Sequence, residues 1–569
     1  MTADNLRASL LADSELGAGN VLARLLHHGA APTTPAVAFD VDVDGHPAYR
    51  SLSLGELRER VAARASWLHR NGVRPRDPVA IYVSSSADCL LSFLALNWLG
   101  AIPTLMNGGM PGEIAVEFIR RLRASYVLTD AAHRRLLGDA ELGAPLLPDV
   151  AEAGTGDPAG APTHYRFHPE DPIVITHTSG TTRLPASVVH SHTSLFAATR
   201  ELRLAGLKVP RGERILSVLP AAHTAGILTL HQALLSGSEL LFLSGQGSRS
   251  GQGGPFESSA AVVVAAIEDW RPTNVYGFAV TWAELARVDL SQHDLSSVEY
   301  WFNTGDSAHE THIRRLVAAG SHRTYTRGGW VREPGSRFID GIGSSEMGYS
   351  AFRIIHGPDT ERYGRCVGKP HIFADVALLD LATGEEVPVG EVGHLGLKSP
   401  TLALGYWNDS VLTYRTRLRG YYLTGDLMYR DAEGYHYHLD RAADAVDLGG
   451  GAWLYTAMTE ERILVACPEL RDCTVVAGRE GDRAVTDVLL MLESDADPAA
   501  DRTEAVRAAL GPAAAATLRN VVVVPEDEII LGPTGKVRKF LMRQRHLHGG
   551  HLPGTAGRTP VAHTPATAG

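Results

Sequence analysis

The chain has 569 residues, 44% hydrophobic and 21% charged, which predicts a globular protein of two or more domains. Its net charge of −11 argues against a protein that binds nucleic acid through bulk positive charge. The four cysteines are irregularly spaced, which favours neither a zinc site nor a disulfide framework and fits a reducing, cytoplasmic setting.

Helix and strand patterns alternate in the N-terminal part of the chain. Apolar residues recur at helical spacing over residues 55–75, and Gly72 marks the end of that helix. The longest apolar stretch, near residues 90–106, is interrupted by polar residues, glycine and proline, so no membrane span is expected. Strand and helix patterns continue to residue 130. This alternation predicts a parallel sheet covered by helices.

A hydroxyl-rich turn follows the next predicted strand. The apolar run at 173–175 indicates a buried strand, and residues 178–182 then place hydroxyl groups around one glycine. Small residues let the backbone approach an anion, and hydroxyl and N–H groups can donate to it. The turn is not of the Walker type. Taken alone, it predicts a phosphate-binding loop or an ordinary surface turn.

The predicted secondary structure changes toward the C-terminus. Short alternating strands over 370–440 predict an antiparallel region. We therefore expect an α/β fold with a large N-terminal domain of helix-covered sheets and a small antiparallel β region. A small, mobile α+β C-terminal domain is expected to follow. The predicted domains are 1–440, 441–545 and a disordered tail at 546–569.

Several polar residues follow strands or stand on glycine-rich turns. Glu346 comes after small residues, as a Mg²⁺–phosphate site requires. Asp426 ends a strand, where its carboxylate could accept from both hydroxyls of a ribose, and Lys536 stands on a glycine-rich turn. Each also has a simpler interpretation as a turn residue or a surface charge, and only their order and spacing together argue against it.

Together these stretches resemble the acyl-adenylate-forming superfamily of acyl-CoA synthetases, peptide-synthetase adenylation domains and firefly-type luciferases. The resemblance covers about residues 20–540, and the segment around Glu346 is most similar to aryl-acid CoA ligases. It implies that the nucleotide is bound by Ser179, Gly180, Thr181, Thr182, Thr304, Gly305, Asp306, Ile342, Gly343, Ser345, Asp426 and Arg441. The implied catalytic residues are Lys536, Glu346 (also the metal ligand), Thr178 and Arg183. The candidate substrate-pocket residues are His223, Phe278, Trp301, Phe302 and Met347.

The resemblance implies a reaction in two halves. A carboxylate attacks the α-phosphorus of ATP and releases pyrophosphate, with Mg²⁺ and Lys536 neutralising charge. The acyl group then passes to CoA or to a carrier-protein thiol after the small domain rotates. Specialised metabolism is the expected setting.

Three places depart from the superfamily pattern. The phosphate loop usually continues Gly-x-Pro-Lys-Gly, but here residues 183–187 lack the lysine. Arg183 either replaces that cation with a forked geometry or occludes the loop. At the expected hinge Asp440 replaces glycine and Ala443 replaces an acid or lysine, and before Gly343 an aromatic residue is replaced by isoleucine.

The departures leave three hypotheses open. The leading one is ATP-dependent activation of a small carboxylic or aryl acid, followed by thioester formation, which the retained glycines at 449–451 favour. An alternative is activation of nitrite to diazotise an aryl amine. A non-catalytic relative that binds nucleotide or an acyl ligand is the third. Arginines at 323, 327 and 332 could recognise a second acidic group or form a solvated loop.

Overall fold

The computed structural model describes residues 3–178, 184–205, 213–243, 260–531 and 537–547. These residues divide into two compact units. The first contains the described residues up to Ala443 and also Leu531, and the second contains Asp444–Ile530 and 537–547. The sequence places the domain boundary after residue 440, three residues before this division. The predicted tail falls outside the described residues except for its first two positions, which belong to the last helix.

The first unit contains most of the strands and helices. Its strands are β1 (Pro35–Phe39), β2 (Leu52–Ser53), β3 (Pro78–Tyr82), β4 (Ile102–Leu105), β5 (Tyr126–Thr129), β6 (Pro172–His177), β7 (Ser187–Ser191), β8 (Arg214–Ser217), β9 (Glu239–Phe242), β10 (Asn274–Phe278), β11 (Tyr300–Thr304), β12 (Ser321–Thr326), β13 (Gly329–Pro334), β14 (Arg337–Asp340), β15 (Phe352–His356), β16 (Cys366–Pro370), β17 (Asp375–Leu379), β18 (Gly393–Lys398), β19 (Gly405–Tyr406), β20 (Arg417–Leu418), β21 (Tyr421–Arg430) and β22 (His436–Arg441). Its α-helices are α1 (Ala3–Ala12), α2 (Val21–His27), α3 (Leu54–Arg70), α4 (Ser86–Leu99), α5 (Gly112–Leu122), α6 (Ala131–Leu137), α7 (Ala197–Thr199), α8 (Thr224–Ser236), α9 (Ala260–Trp270), α10 (Ala279–Leu285), α11 (Glu310–Ala318) and α12 (Ser410–Arg415). A π-helical turn spans Arg200–Ala205, and 3₁₀ turns span Val150–Thr155, Pro158–Gly160 and Leu290–Gln292.

Two large sheets form the first unit. One contains 14 strands in the order β17-β18-β21-β22-β16-β15-β14-β11-β10-β8-β9-β1-β2, with β20 paired to β21. Its strands from β14 to β1 are parallel, whereas those from β15 to β17 are antiparallel. The second sheet has the order β19-β7-β6-β4-β3-β5 and is mainly parallel. The predicted α/β class and the antiparallel region at 370–440 are confirmed.

One apolar core joins the two sheets. Helices α3, α4 and α8 contribute Trp67, Phe93 and Ile227 to a cluster that also contains Val37 of the large sheet and Val79 of the second sheet. Burial of apolar surface of this kind is the main favourable term in folding. No helix in the described part of the chain is long and apolar enough to cross a membrane.

Local signals in the sequence explain where α3 begins and ends. The hydroxyl oxygen of Ser53 accepts from the Glu56 N–H, and the Glu56 carboxylate accepts from the Ser53 N–H at 2.8 Å. This reciprocal pair is a capping box, which satisfies two N–H groups at the start of the helix. The helix ends just before Gly72, whose φ of 96° lies in the left-handed region that favours glycine.

The second unit is a small α+β body with a core of its own. Its strands are β23 (Val446–Gly449), β24 (Ala452–Leu454), β25 (Leu470–Glu480), β26 (Arg483–Leu492) and β27 (Leu518–Val523). Its helices are α13 (Thr456–Ala466), α14 (Thr503–Leu510), α15 (Pro512–Ala515) and α16 (Lys539–Leu547), with a 3₁₀ turn at Glu526–Glu528. The Lys539 ammonium donates to Thr456 Oγ1 at 2.6 Å and to Glu460 Oε2 at 3.0 Å, which fixes α16 to α13.

Gly348 is a point where the fold leaves no room for a side chain. Its φ is 67°, and an added Cβ would lie 2.2 Å from the Thr401 carbonyl oxygen. Gly434 has a similar φ of 83° with nothing within 4 Å. We expect Gly348→Ala to destabilise the first unit by about 1–3 kcal/mol more than Gly434→Ala, because only the first adds a steric clash to the left-handed strain.

Thermal and urea unfolding of the two variants measure this difference. Because both glycines have positive φ, the Gly434→Ala variant reports the cost of the backbone conformation alone. Equal losses of stability would show that the Thr401 contact relaxes at no cost.

Candidate active site

The predicted phosphate-binding turn begins directly after β6, and Thr178 holds its base. The Thr178 N–H donates to Ala186 O at 3.0 Å, and the Ala186 N–H donates to Thr178 Oγ1 at 3.1 Å. These two bonds bring the ends of the turn together. The other residues predicted to belong to this turn lie outside the described residues: Ser179, Gly180, Thr181, Thr182 and Arg183.

His177 supports the same turn and did not stand out in the sequence. Its Nε2 accepts from the Asn107 N–H at 3.0 Å, so Nδ1 carries the proton of the neutral ring and donates to Thr178 O at 2.9 Å. Burial lowers the pKa of His177, which keeps the ring neutral. The Ser345 hydroxyl donates to His177 O at 3.3 Å, so this strand end also contacts the predicted nucleotide-binding segment.

That segment follows β14 and carries Glu346. The His190 Nε2–H donates to Ser345 O at 2.7 Å, and burial lowers the pKa of His190 to about 4. The Tyr406 hydroxyl donates to Glu346 Oε1 at 2.9 Å, and the Ala403 N–H donates to Glu346 O at 2.9 Å. The carboxylate is therefore oriented through one oxygen. Burial and the nearby Glu346 raise the pKa of Tyr406, which stays a hydrogen-bond donor.

The residues at Glu346 fit a magnesium ion that is shared with a phosphate. Mg²⁺ is usually held by one or two carboxylates together with substrate phosphates and water. Among the described residues there is no group of three or more His, Cys, Asp or Glu side chains that could hold a metal. Glu346, partly exposed, offers one carboxylate, which suits a cation completed by phosphate oxygens.

Asp426 and Arg441, the predicted ribose-binding residues, lie opposite each other on β21 and β22. Arg441 Nη1 donates to Asp426 Oδ1 at 3.0 Å, and His438 Nε2 lies 3.4 Å from the same oxygen. Burial would raise the pKa of Asp426, but the charge of Arg441 and the contact with His438 hold it well below its usual range. Arg365 Nη2 donates to His438 Nδ1 at 2.8 Å and so fixes the imidazole orientation.

The predicted adenine-side loop, residues 304–306, follows β11. Gly305 has a φ of 90°, and an added Cβ would lie 3.3 Å from the Phe278 ring. Arg365 Nη2 lies 3.4 Å from Asp306 Oδ1, so one guanidinium contacts both Asp306 and His438. The loop and the ribose-binding pair are thereby connected through buried polar groups.

The segment at 342–343 packs close to this loop. A Cβ on Gly343 would lie 3.9 Å from Thr304 Oγ1, so the two predicted nucleotide-binding segments are adjacent. The Ile342 side chain is buried in the apolar cluster beneath them with Phe352. Ile342 therefore contributes to the core and gives a nucleotide no flat ring to stack on.

Three of the predicted pocket residues lie on one face of the large sheet. His223 caps α8 by accepting from the Ala225 N–H at 3.1 Å, and its ring meets the Phe278 ring edge-on with centroids 5.0 Å apart. Phe302 stacks on Tyr276 with centroids 4.3 Å apart, and the two residues are paired in the register of β10 and β11. Tyr276 and Phe278 are two positions apart on one strand, so they share this face.

Two other candidate pocket residues belong to the core. Trp301 was predicted on the pocket side, and this prediction is wrong because neighbouring strand residues face opposite sides of the sheet. Its indole N–H donates to Ser336 Oγ at 2.7 Å, and its ring packs edge-on against Trp282. Met347 is fully buried with Phe352 in the cluster beneath the Glu346 segment, so its side chain is not exposed to a substrate.

The arginines before the Glu346 segment stabilise a hairpin formed by β12 and β13. Arg323 Nε lies 2.7 Å and Arg332 Nη2 lies 2.9 Å from the carboxylate oxygens of the buried Glu299. Arg327 is exposed in the turn between the two strands. The suggestion that these residues bind a second acidic group is therefore corrected for Arg323 and Arg332, which neutralise an acid of the protein itself. The predicted catalytic Lys536 lies outside the described residues.

Comparisons with known proteins identify the family of the chain. Residues 27–407 match the AMP-binding enzyme family. The chain is 44% identical over 563 residues to a Streptomyces sp. protein named 3-aminoavenalumate diazotase, covering 95% of this chain and 97% of the relative. It is 25% identical over 536 residues to 3-hydroxybenzoate–CoA ligase of Aromatoleum sp. (strain CIB), covering 87% and 92% of the two chains.

A solved structure shows the same fold. The crystal structure of the anthranilate CoA ligase AuaEII in complex with anthranoyl-AMP matches with a TM-score of 0.79 and 21% identity. The match covers 96% of this chain and 99% of that chain. The prediction from the motifs is confirmed: the chain belongs to the AMP-binding enzyme family, within the acyl-adenylate-forming superfamily.

Proposed function

We propose that this enzyme uses ATP to activate nitrite and transfers the resulting nitroso group to an aryl amine, which becomes a diazo compound. The observation that carries the proposal is the 44% identity, along nearly the whole of both chains, to a protein named as a diazotase. Identity to the named CoA ligase is 25%. The altered residues of the phosphate loop and hinge support the same choice, because they depart from the CoA-ligase pattern.

In this proposal ATP binds at the edge where the large sheet presents its polar loops. Asp426 accepts from the ribose hydroxyls, and the loop at 304–306 lies beside the adenine. The turn after Thr178 holds the phosphates, with Arg183 as a replacement for the absent lysine. Glu346 would hold Mg²⁺, and the cation would supply positive charge beside the phosphates. Lys536 adds a further cation.

The proposed chemistry balances without an oxidant or reductant. A nitrite oxygen attacks the α-phosphorus, the bond to pyrophosphate breaks, and a mixed anhydride of nitrite and AMP forms. The lone pair of the amine then forms an N–N bond while AMP leaves with the electron pair of the N–O bond, and the amine gives up a proton. The N-nitroso amine tautomerises, takes up a proton and loses water to give the diazonium group.

The aromatic face on β10 and β11 suits the amine. Nitrite has no apolar part, so a pocket for the activated acid alone needs little apolar surface. Phe302 is partly exposed and stacks on the buried Tyr276, and Phe278 lies on the same face, so this face is aromatic and an aryl amine can pack against it. Because this face ends beside Gly305, a bound amine can reach an anhydride formed at the nucleotide.

A second candidate function is activation of an aryl acid and transfer to a thiol of CoA or of a carrier protein. It is favoured by the turn between β23 and β24, where Gly449, Gly450 and Gly451 all have positive φ, from 63° to 86°. The superfamily resemblance places these glycines along the pantetheine path of CoA ligases. The residues after them, 455–457, no longer carry the usual proline and acids, which weakens this candidate.

A non-catalytic binding role is the least supported. Glu346 is held ready for a cation by Tyr406, and Asp426 is kept ionised by Arg441. A buried carboxylate that stays charged, as Asp426 does, is expensive to keep and is typical of functional sites.

The first prediction concerns the substrate of the ATP-dependent step. We expect ATP, Mg²⁺ and nitrite with an aryl amine to release AMP and pyrophosphate and to give an azo dye when quenched with a naphthol. Aryl acids with CoA, in the absence of nitrite, are the matched comparison. The second candidate would be established instead if an aryl acid gave acyl-AMP or a thioester while nitrite and an aryl amine gave neither pyrophosphate nor azo dye. If neither mixture releases pyrophosphate, the chain is a binding protein.

The second prediction concerns the metal ligand. Glu346→Gln should lower kcat/KM by about 100-fold and shift the Mg²⁺ titration to higher concentration, because it removes the charge that holds the cation. Tyr406→Phe keeps the carboxylate and removes one neutral hydrogen bond, so a loss of about fivefold is expected. An unchanged Mg²⁺ requirement in Glu346→Gln would rule out this role.

The third prediction concerns Lys536. Lys536→Ala should abolish pyrophosphate release, because the superfamily resemblance assigns this lysine to the leaving pyrophosphate and to the attacking oxyanion. Lys369→Ala is the control, since this exposed lysine lies over the Tyr435 ring with its ammonium 4.5 Å from the centroid. Pyrophosphate release at the wild-type rate in Lys536→Ala would contradict the assignment.

A further inference from the structure

The guanidinium of Arg203 lies at the end of the aromatic face that is formed by the Tyr276 hydroxyl, which we call the inner end. None of the motifs described above includes Arg203. Arg203 belongs to the π-helical turn Arg200–Ala205. Its Nη2 donates to Gln232 Oε1 at 2.9 Å and lies 3.4 Å from the Tyr276 hydroxyl oxygen. Tyr276 is the residue that stacks on Phe302. The guanidinium therefore ends among the polar tips of the side chains that form the proposed amine pocket.

The surroundings of Arg203 leave its charge available. Its Nε is buried without a hydrogen-bond partner among the described residues. The nearby acid Glu213 feels the charge of Arg203 but makes its contacts with other residues. Its carboxylate accepts from Asn274 Nδ2 at 3.2 Å and lies 4.0 Å from Arg323 Nη2. Within the described part of the chain, no carboxylate forms an ion pair with Arg203 within 4.0 Å. A partly buried guanidinium whose described neighbours include no paired carboxylate is a favourable site for an anion, which would bind through the Nη atoms.

Arg203 and the loop at Gly305 lie next to different residues of the aromatic face. Tyr276 and Phe278 are two positions apart on β10, which corresponds to about 7 Å along a strand. Phe278 contacts the space next to Gly305, whereas Tyr276 contacts the guanidinium. A planar substrate lying along this face would thus have one end at the nucleotide loop and the other at Arg203.

Polar groups from three parts of the chain lie around the guanidinium: Gln232 of α8, Tyr276 of β10, and Tyr349. Tyr349, which follows the Glu346 segment, shares Gln232 with Arg203 as a hydrogen-bond partner. Tyr276 and Tyr349 stay neutral, because burial raises the pKa of both hydroxyls. The cluster therefore presents one positive charge, neutral hydroxyl groups and an amide, which together match a single carboxylate.

We propose that Arg203 binds a carboxylate on the far end of the aryl amine, so that the enzyme acts on aminoaryl carboxylic acids. The amine would then point toward residues 304–306 and the activated nitrite. This inference depends on the proposed function in one respect, namely that an aryl amine is the group that accepts the activated nitrite. Arg203 selects and orients the substrate and takes no part in bond making.

Binding of an acid and its neutral amide provides the test. The probes are 3-aminocinnamate and 3-aminocinnamamide, and the dissociation constants are measured by calorimetry with AMP present. Wild-type protein should bind the acid about tenfold or more tightly than the amide, as expected for a hydrogen-bonded ion pair. Arg203→Met should remove this preference by weakening the acid alone, and Arg203→Lys should retain part of it.

Arg200→Met is the matched control, because Arg200 lies on the same turn but donates to the carbonyl oxygens of Leu11 and Asp13. It should keep the preference for the acid. Equal binding of acid and amide by the wild-type protein would overturn the proposal, and so would a preference that survives in Arg203→Met. The wild-type comparison stands even if Arg203→Met fails to fold.

Turnover separates this inference from the proposed function. If nitrite does not stimulate AMP release with any aryl amine, diazotisation fails, while the acid-over-amide preference still reports on Arg203. If diazotisation occurs but acid and amide give the same kcat/KM, the role of Arg203 fails alone. The combined expectation is that Arg203→Met raises KM for 3-aminocinnamate and leaves the kcat/KM for 3-aminocinnamamide unchanged.

Discussion

The buried hydrogen bonds of Ser345 are the constraint on which the rest of the site depends. Its hydroxyl donates to His177 O on β6, and its carbonyl accepts from His190 on β7. Ser345 itself follows β14, so these bonds join the large sheet to the second sheet. Losing one would leave a buried polar group unsatisfied, at a cost of about 1–3 kcal/mol. Through these contacts the turn base at Thr178 and the carboxylate of Glu346 are held beside each other.

A line of charged and polar side chains organises the nucleotide end in a similar way. It connects Asp306, Arg365, His438, Asp426 and Arg441. Because Arg365, His438 and Asp426 are largely removed from water, each stabilises the charge or orientation of the next. The proposed adenine-side and ribose-side residues are therefore parts of one network. Changes at Arg365 or His438 should act on both.

How much of this could be read from the sequence depends on how local each signal is. Glu346 and Asp426 could be proposed as site residues because the residue types in a strand-end motif carry their own chemistry. Tyr406 and His177 were missed because their partners Glu346 and Asn107 lie 60 and 70 residues away in the sequence, and no motif records such contacts. Trp301 was misplaced because a run of aromatic residues does not reveal which side of the sheet each one faces.

The sequence alone determined the superfamily and the α/β architecture, because those depend on short-range patterns of apolar spacing, glycine and carboxylates. Only the tertiary structure decided what surrounds the aromatic face. Arg203, Gln232 and Tyr276 come from a π-helical turn, a helix and a strand, 29 and 73 residues apart from the arginine. Their meeting depends on how α8 packs against the large sheet, and packing between distant segments is not encoded in any one stretch of the chain.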